Sequence, residues 1–431
     1  MKFTLLSSLV LSSLTFFTGC GSEVQDLSLN AAPITGAPNS GVFVNSVEGL
    51  EYTRTLAPVP QLTDNASTYS YRIGELINFH IGNLQIGEVI GLSVITPKDI
   101  VSYKNLELNT SIYSSEVNNR VRLLMALDSD AGLNGVQISQ ATRDLAQNWT
   151  TPDYSMSEAN FTVSVSTVTD GDLLIDVNKS EAETYFTQAL RCVYSGAYKG
   201  SWINSGEREG FVGVMIQSDG SIVALGDGQD IDGIDNNGDG NLKDDVIYAT
   251  GKHEMDTGYY DFNKTYHFDP DAGTIVDSNI TNIQGNGSSQ GYNRVSGRFI
   301  QDGINGAYTA TRVGSGVNTA YRYTGYGFQN SGGSASAGND PILGLFTLDI
   351  NPDGNVTGLI HDARSNAEPT LTGNINFSTG DISLNLNSGL GHTLSGNINF
   401  TTSDILIDWM DENATTLGYI KGIGCQLQPH N

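Results

Sequence analysis

The chain contains one twelve-residue segment twice. Residues 371–382 read LTGNINFSTGDI and residues 394–405 read LSGNINFTTSDI, with nine identical positions at an offset of 23 residues. A period of 23 residues accommodates two strands of about seven residues and two short turns. The repeat therefore predicts consecutive β-hairpins in which every second strand has the same role. The residues expected on the shared apolar face are Leu371, Ile375, Phe377, Ile382, Leu384, Leu386, Leu394, Ile398, Phe400, Ile405, Ile407 and Trp409.

The same alternation of apolar and polar residues extends over residues 192–431. Asp219-Gly220 and the sequence NPDG at residues 351–354 separate alternating runs, and Asp-Gly in that context is a strong hairpin signal. The chain has 50 Gly and only 16% charged residues, which suits strands and turns. Because open sheet edges promote aggregation, a meander of this length must close or be covered. We therefore expect a mainly β protein whose C-terminal part is an antiparallel meander, barrel or curled sheet.

The N-terminus has the pattern of an export signal. After Met1 and Lys2, residues 5–17 are apolar but too short to cross a membrane as a helix, and they lead into FTGC at residues 17–20. A secretory signal that ends in small residues before Cys resembles the lipobox of bacterial lipoproteins. The resemblance implies a signal peptide over residues 1–19, diacylglycerol on Cys20 and an acyl chain such as palmitate on the new N-terminus.

The residues after Cys20 indicate the destination. The residues directly after Cys20 are Gly21 and Ser22, and neither is Asp. In such lipoproteins the lack of Asp after the Cys favours sorting to the outer membrane. Residues 20–40 have the polar composition of a flexible tether. The predicted location is the outer membrane, reached through the lipid on Cys20. Both the surface-exposed and the periplasmic face remain open.

The net charge of −26 restricts the partners. Nucleic acid is excluded as a partner because its phosphates would be repelled. The acidity serves solubility or attracts divalent cations and cationic surfaces.

The predicted location determines the expected state of the two remaining cysteines, Cys192 and Cys425. An oxidising envelope favours a disulfide between them. Cys192 and Cys425 stand at the two ends of the C-terminal β region. We therefore expect the bond to join the first and last strands of a single barrel or curled sheet.

Residues 41–142 have a different pattern. Alternating segments at residues 41–54 and 69–101 end in ITPKDIV, helical spacing follows at residues 117–127, and the sequence continues with Leu-Asp-x-Asp and NGVQI. This order resembles an N-terminal module of Gram-negative surface lipoproteins and adhesin-like proteins. The resemblance implies a small β-rich domain with one helix and no chemistry of its own. Here Ala131-Gly132 replace the usual Gly-Asp, which weakens any cation site at Asp128, Asp130 and Asn134.

Residues 143–191 are expected to connect the module to the β region. Residues 143–177 read as a linker, and residues 178–196 read as a helix that enters a strand. Ser180 and Glu183 have the spacing of a capping box. The apolar stripe of this helix consists of Ala182, Tyr185, Phe186 and Leu190.

The densest functional signal is GDGQDIDGIDNNGDGNLKDD at residues 226–245, which contains seven Asp. Ca²⁺ takes six to eight oxygen ligands from a tightly turning loop. The segment also resembles the calcium-binding Asp-Gly repeats of secreted bacterial proteins. We expect a structural calcium site, and the alternative is an acidic, solvated insertion. The candidate ligands are Asp230, Asp232, Asp235, Asn237, Asp239, Asn241, Asp244 and Asp245.

Part of this loop matches an EF-hand. Asp235, Asn237, Asp239 and Gly240 fit D-x-[DN]-x-[DN]-G. The match fails at the twelfth position, where Val246 replaces the bidentate Glu. A site here therefore requires a ligand geometry different from that of an EF-hand.

Two common catalytic signatures are missing. The chain has no H-E-x-x-H pattern and no P-loop, and His253-Glu254 is a weak candidate for a metal pair. We therefore predict a non-enzymatic binding or adhesin-like module with a glycan or protein ligand. The alternatives are an envelope hydrolase that acts on polysaccharide and a structural component of outer-membrane assembly.

Aromatic residues cluster near the starts of two predicted strands. Such residues either stack on sugars or peptides or fill a barrel interior. The first cluster is Tyr194, Tyr198 and Trp202, and the second is Tyr321, Tyr323, Tyr326 and Phe328.

Overall fold

The computed structural model describes the chain in segments, and all structural statements below concern those segments. The described residues are 37–44, 47–107, 110–129, 135–206, 209–228, 245–269, 274–277, 280–287, 292–301, 303–313, 321–329, 342–351, 353–362, 368–387, 389, 391–400 and 402–426. The fold is mainly β, as predicted from the alternation of apolar and polar residues.

An N-terminal module precedes the barrels. Its strands form a three-stranded sheet in the order β5-β1-β8, a four-stranded sheet in the order β4-β3-β6-β7, and a parallel pair of β2 with β9. The strands are β1 (Asn39–Phe43), β2 (Val47–Glu48), β3 (Glu51–Arg54), β4 (Ala57–Leu62), β5 (Thr68–Tyr71), β6 (Leu76–Ile81), β7 (Leu84–Ile90), β8 (Val94–Ile95) and β9 (Val136–Gln137). The helices are α1 (Pro97–Asn105), α2 (Ser115–Ala126), α3 (Gln140–Ala146) and α4 (Glu158–Val168).

The core of the module is aromatic at its centre. The ring of Phe79 lies against those of Phe43, Tyr52 and Tyr69, with centroids 4.8 to 6.2 Å apart. The predicted helix at residues 117–127 is confirmed as α2, and its apolar face is buried. Burial of these large side chains supplies the main stabilisation of the module.

The prediction of one helix in the module was wrong. In the segment ITPKDIV, expected to continue the alternating strands, Ile95 ends β8 and residues 97–101 form the first part of α1. Thr96 caps this helix, because its side chain accepts a hydrogen bond from the Asp99 amide while the Asp99 carboxylate accepts one from the Thr96 amide. Pro97 at the first helical position adds a preset backbone angle. These local signals outweigh the short-range alternation of apolar residues.

The segment expected to be a linker is partly helical. Helix α4 lies within residues 143–177, and its Phe161 and Val165 are fully buried in the core of the module. Helix α5 (Lys179–Tyr194) follows, as predicted. Its capping box uses Asn178 and Glu181 instead of the expected Ser180 and Glu183.

The first barrel follows α5. Its nine strands form one sheet, and eight of them close into a ring through the pairings β10–β18 and β13–β14, while β15 pairs only with β14. The strands are β10 (Gly196–Asn204), β11 (Glu209–Ile216), β12 (Ser221–Gly228), β13 (Asp245–His253), β14 (Tyr259–Asp269), β15 (Thr274–Asp277), β16 (Ile280–Gly287), β17 (Arg294–Gln301) and β18 (Ile304–Arg312).

The second barrel is an up-and-down ring of eight strands, closed by pairing of β19 with β26. Its strands are β19 (Tyr321–Gln329), β20 (Ile342–Ile350), β21 (Asn355–Asp362), β22 (Thr370–Ile375), β23 (Asp381–Leu386), β24 (Thr393–Asn399), β25 (Asp404–Met410) and β26 (Thr416–Gln426). The duplicated segments form β22–β23 and β24–β25 as predicted, with Ile375 paired with Ile382 and Ile398 paired with Ile405.

The predicted disulfide between Cys192 and Cys425 is present. The expectation that it joins the first and last strands of one barrel was wrong, because residues 192–431 form two barrels. Cys192 lies in α5 and Cys425 lies in β26. The bond therefore connects the helix before the first barrel to the last strand of the second, and backbone hydrogen bonds alone close each ring.

The two barrels pack wall against wall. Met215, Val223 and Leu225 of the first barrel form an apolar cluster with Leu345 of the second. Polar contacts surround this cluster: the Gln217 side chain donates to the Thr324 carbonyl at 3.2 Å, the Ser218 hydroxyl donates to the Gly424 carbonyl at 2.8 Å, and Lys199 pairs with Glu368 at 3.0 Å.

Candidate functional site

The interior of the second barrel is packed with apolar side chains. In an eight-stranded barrel the interior is just wide enough for side chains to fill it. Binding by this barrel is therefore a matter of its rim and its outer wall. The side chains of this core are Tyr323, Phe346, Leu348, Ile350, Val356, Leu371, Ile375, Ile382, Leu384, Leu386, Leu394, Ile398, Ile405, Ile407 and Ile420.

The first barrel is packed in the same way along the described part of its wall. Tyr198, Tyr260, Phe262, Phe299 and Tyr308 are buried there together with smaller apolar residues. Tyr260 and Tyr308 also satisfy each other, because the Tyr308 hydroxyl donates to that of Tyr260 at 3.0 Å. Aromatic volume fills this interior, so Tyr198 does not stack on a ligand.

One rim of the second barrel is built from three equivalent turns. Gly354, Gly380 and Ser403 each have a positive φ, of 84°, 79° and 60° respectively. The carbonyl of each accepts a hydrogen bond from a residue farther along the chain: Gly354 from Ile375, Gly380 from Ile398 and Ser403 from Gly424. Each turn is thereby fixed to the start or end of a neighbouring strand.

These turns bring Phe377 and Phe400 together. Their ring centroids lie 5.9 Å apart with an interplanar angle of 30°, and each residue is 37% exposed. Placing both residues on the buried face with Ile375 and Ile398 was wrong. Strand β22 ends at Ile375, and Phe377 stands in the turn beyond it. The duplicated sequence thus creates an aromatic pair at the rim.

Polar groups surround this aromatic pair. The Asn376 side chain accepts from the amide and the hydroxyl of Ser378, at 3.0 and 2.7 Å. Asn397 donates to the Thr379 carbonyl at 2.9 Å. These bonds fix the turn that carries Phe377. Half-exposed rings beside amides and carboxylates are suited to contacts with a sugar face or an apolar peptide side chain.

The predicted calcium ligands fall almost entirely outside the described residues. Asp230, Asp232, Asp235, Asn237, Asp239, Asn241 and Asp244 lie in residues 229–244, and Asp245 is the first residue of β13. The strands on either side are paired up to Gly228 and Asp245, so the acidic segment begins and ends at neighbouring positions. Among the described side chains, no group of three His, Cys, Asp or Glu is placed to hold a metal ion.

The other predicted sites are the acylation site and the weakened cation site of the module. Three of their residues lie outside the described residues: Cys20, Asp130 and Asn134. The Asp128 carboxylate accepts a hydrogen bond from the Gln137 amide at 3.0 Å, which is the role of a loop-forming residue. In the described part of the chain, no helix is long and apolar enough to cross a membrane.

A buried polar seam between the module and the first barrel was not predicted from the sequence. Asp99, at the start of α1, accepts hydrogen bonds from the Thr96 amide and hydroxyl and from the Tyr292 hydroxyl, at 2.8, 2.7 and 3.3 Å. Burial raises the pKa of Asp99 to about 6, although these hydrogen bonds oppose the shift. The neighbouring Lys98 ammonium donates to the Asp256 carbonyl.

His253 lies in the same seam. Neither ring nitrogen has a hydrogen-bond partner, and the ring centroid is 4.6 Å from that of Tyr194. Burial, with a smaller effect from Lys98, lowers the pKa of His253 to about 3. The imidazole is therefore neutral and packed against aromatic rings. His253 and Glu254 do not form the metal pair considered from the sequence, because no third ligand joins them among the described residues.

One further spacing concerns catalysis. Gly287, Ser289 and Gly291 match G-x-S-x-G. Gly287 ends β16, Ser289 and Gly291 lie outside the described residues, and the next described element is the strand β17. A nucleophile elbow requires a turn from a strand into a helix. The spacing therefore does not identify a hydrolase.

Of the remaining predicted aromatics, four have packing contacts, and the side chains of Tyr321 and Phe328 lie outside the described residues. Tyr194 and Tyr323 are buried in apolar clusters. Trp202 lies edge-on to Phe299 with ring centroids 5.9 Å apart. The Tyr326 hydroxyl donates to Gln217 between the two barrels.

Comparisons with known proteins give no family. No protein-family model and no curated protein matches the sequence. Among solved structures, isotype 1 transferrin binding protein B from serogroup B Neisseria meningitidis is 9% identical, with 55% of this chain and 77% of that chain covered and a TM-score of 0.20. A double mutant of transferrin binding protein B from Haemophilus parasuis Hp5 is 9% identical, with coverages of 55% and 76% and a TM-score of 0.18. TM-scores this low carry no argument about this chain.

Proposed function

We propose that this chain is a lipid-anchored protein of the outer membrane that binds a glycan or protein ligand without changing it chemically. The observation that carries the proposal is the filled interior of the second barrel. A packed barrel has no room for a substrate, whereas its rim offers a rigid surface. The lipobox at residues 17–20 supports the anchor.

The aromatic pair Phe377 and Phe400 is the proposed contact surface. Both rings are half-exposed and held by turns whose backbone hydrogen bonds reach neighbouring strands. Rigid aromatic side chains lose little conformational entropy when they bind a partner. Recognition at this rim therefore needs no rearrangement of the barrel.

We also propose that the acidic segment at residues 229–245 binds calcium in a structural role. Pairing of Gly228 with Asp245 brings its two ends together. Carboxylates confined to such a hairpin loop repel one another unless a cation neutralises them. Extracellular modules hold calcium with dissociation constants of roughly 10⁻⁴ to 10⁻³ M.

A glycan array tests the proposal directly. The mature chain with Cys20→Ser is applied to immobilised glycans and, in parallel, to a displayed peptide library. We expect retention on at least one ligand class without the release of reducing ends. Phe377→Ala combined with Phe400→Ala should weaken retention at least tenfold, and Leu406→Ala, an exposed position on the outer wall, is the matched control.

Three outcomes contradict the proposal. Release of reducing ends identifies a polysaccharide hydrolase. Binding that is unaffected by the Phe377 and Phe400 substitutions moves the contact surface elsewhere. Retention of neither ligand class, together with a defect in outer-membrane integrity when the chain is deleted, favours a structural role in assembly.

A further inference from the structure

The N-terminal module carries an exposed apolar strip along strand β4. Leu56, Val59, Leu62 and Ile73 are 52%, 72%, 46% and 73% exposed. We call these four residues the apolar edge. Residues 55–62 read TLAPVPQL and contain no charged side chain. Exposed apolar side chains concentrated in this way on a soluble surface mark a contact site.

Local hydrogen bonds bring two members of the apolar edge, Leu56 and Ile73, towards each other. The Leu56 amide donates to one oxygen of the Glu75 carboxylate at 3.0 Å, and the Arg72 amide donates to the other oxygen at 3.0 Å. The turn that contains Leu56 and the turn that contains Ile73 therefore meet at Glu75. Glu75 itself is buried and lies 3.6 Å from the Arg54 guanidinium.

A partner strand is a poor occupant of this edge. Strand β4 is the outermost strand of its sheet. Strand β4 contains Pro58 and Pro60, and its register with β3 shifts between Tyr52 and Arg54. Because Pro lacks an amide hydrogen, β4 offers no donor at these two positions, and a register shift further disturbs pairing at an edge strand. Strand addition by another protein or a second copy is thereby disfavoured.

The chain enters the module beside the apolar edge. Asn39 is paired with Tyr71 in the antiparallel contact of β1 with β5. Continuing this register places residue 37 opposite Ile73. Residues 21–36 separate this point from Cys20, and a chain of that length reaches at most about 58 Å. The chain that leads from the proposed lipid anchor therefore joins the module at the end that carries exposed Leu56 and Ile73.

We propose that the apolar edge rests on the surface of the membrane that holds the anchor. The inference depends on the proposed lipid anchor at Cys20. Arg54 is paired with the buried Glu75, so Arg72 leaves this end of the strip with one positive charge although the chain as a whole carries −26. Apolar side chains beside arginines are the composition of an interfacial contact. The contact orients both barrels relative to the membrane instead of leaving the module to rotate about its anchor.

Single-cysteine labelling tests this inference in the full acylated chain. The sequence has three Cys; two form the disulfide and the third is the proposed acylation site, so one introduced Cys is the only free thiol. Val59→Cys, Ile73→Cys and the control Leu406→Cys are each labelled with the polarity-sensitive dye NBD. The proteins are reconstituted in phosphatidylethanolamine–phosphatidylglycerol vesicles, with and without doxyl-labelled lipid.

We expect blue-shifted emission at positions 59 and 73 and quenching by doxyl lipid several-fold stronger than at position 406. Co-sedimentation with the vesicles is measured on the same samples. If the chain co-sediments but all three probes remain equally water-exposed, the membrane contact is overturned and the anchor stands. Loss of co-sedimentation overturns the anchor and the contact together. Blue-shifted emission without doxyl quenching, unchanged in a Cys20→Ser chain, means that a protein segment covers the edge and also overturns the contact.

Discussion

Cys192 at the end of α5 and Cys425 in β26 are joined across 233 residues of sequence, with Cα atoms 5.3 Å apart. The bond is independent of the hydrogen bonds that close either barrel. It ties the helix that packs on the module to the second barrel. Loss of the disulfide should therefore loosen the packing of α5 against the second barrel more than it loosens either barrel.

The first prediction concerns this bond. Cys192→Ser with Cys425→Ser should lower the free energy of unfolding by up to about 5 kcal/mol, because the unfolded chain regains the entropy of a very long loop. The far-UV circular dichroism spectrum at 25 °C should stay that of a β protein. Denaturant titration measures the first quantity. A large loss of β signal in the folded baseline would show that the bond maintains a barrel.

The second prediction compares the two copies of the duplicated turn. Ser403 adopts a positive φ where the other copy has Gly380. Ser403→Gly should stabilise the protein, by less than about 1 kcal/mol, because the strain of a positive φ is only partly offset by the greater entropy of unfolded Gly.

Gly380→Ser is the matched control and should destabilise by more than 1 kcal/mol, on the order of the cost of strain at such positions. A Cβ at Gly380 would lie 2.2 Å from the Ile398 carbonyl oxygen, which adds a steric clash. Thermal and denaturant melts of both variants check the pair. Equal effects of the two substitutions would argue against the strain at Ser403.

The third prediction concerns pH. The pKa of His253 is lowered to about 3, so between pH 6.5 and 3 the unfolded state takes up a proton that the folded state does not. This destabilises the fold by about 1.4 kcal/mol for each pH unit below 6.5. The pKa of Asp99 is raised to about 6, so its burial penalty is relieved as pH falls from 6 to about 4. The two contributions oppose each other in that window.

His253→Phe should separate these contributions. The stability of His253→Phe relative to the parent chain should grow by about 1.4 kcal/mol per pH unit below 6.5, because the unfolded parent chain takes up a proton at His253 that its folded state does not. Asp99→Asn should remove the stabilisation that comes from protonation of Asp99. The free energy of unfolding of this variant should therefore fall steadily on acidification. Urea titrations at pH 7, 6, 5 and 4 measure both. A pH-independent difference between His253→Phe and the parent would contradict the burial of a neutral imidazole.

The fourth prediction concerns calcium. EDTA should lower the melting temperature of the mature chain, and Asp235→Ala with Asp239→Ala should abolish this effect. Removing the cation leaves the carboxylates of the acidic segment to repel one another. Glu209→Ala with Asp261→Ala, two exposed acids of the same barrel, should keep the full response to EDTA. A melt that EDTA does not change in the parent chain rules out the site.

The hairpins of the second barrel were predictable because their signal is local. Alternation of apolar residues with period two and Asp-Gly turns determine which residues face inward, and Leu371, Ile382 and Leu394 lie where expected. Phe377 was assigned to the wrong environment because alternation does not reveal that β22 ends two residues earlier. The number of barrels was not predictable either, since the strands of both rings have the same period.

Other features depend on contacts that a sequence does not reveal. The capping box of α5 has two candidate registers with identical spacing, Asn178 with Glu181 and Ser180 with Glu183, and only the folded chain distinguishes them. Asp99 and Tyr292 are 193 residues apart. No local pattern connects residues so distant, so the polar seam could not be predicted.

The three equivalent turns at the rim of the second barrel have a consequence for how the ring can change in size. The 23-residue repeat is a hairpin whose turn is hydrogen-bonded to a neighbouring strand, so another copy could join with its register already set. Each added copy would contribute two strands, and the diameter of a barrel grows with strand number. The inward side chains would then no longer meet at the axis, and tandem duplication alone would turn a solid barrel into one with a lumen.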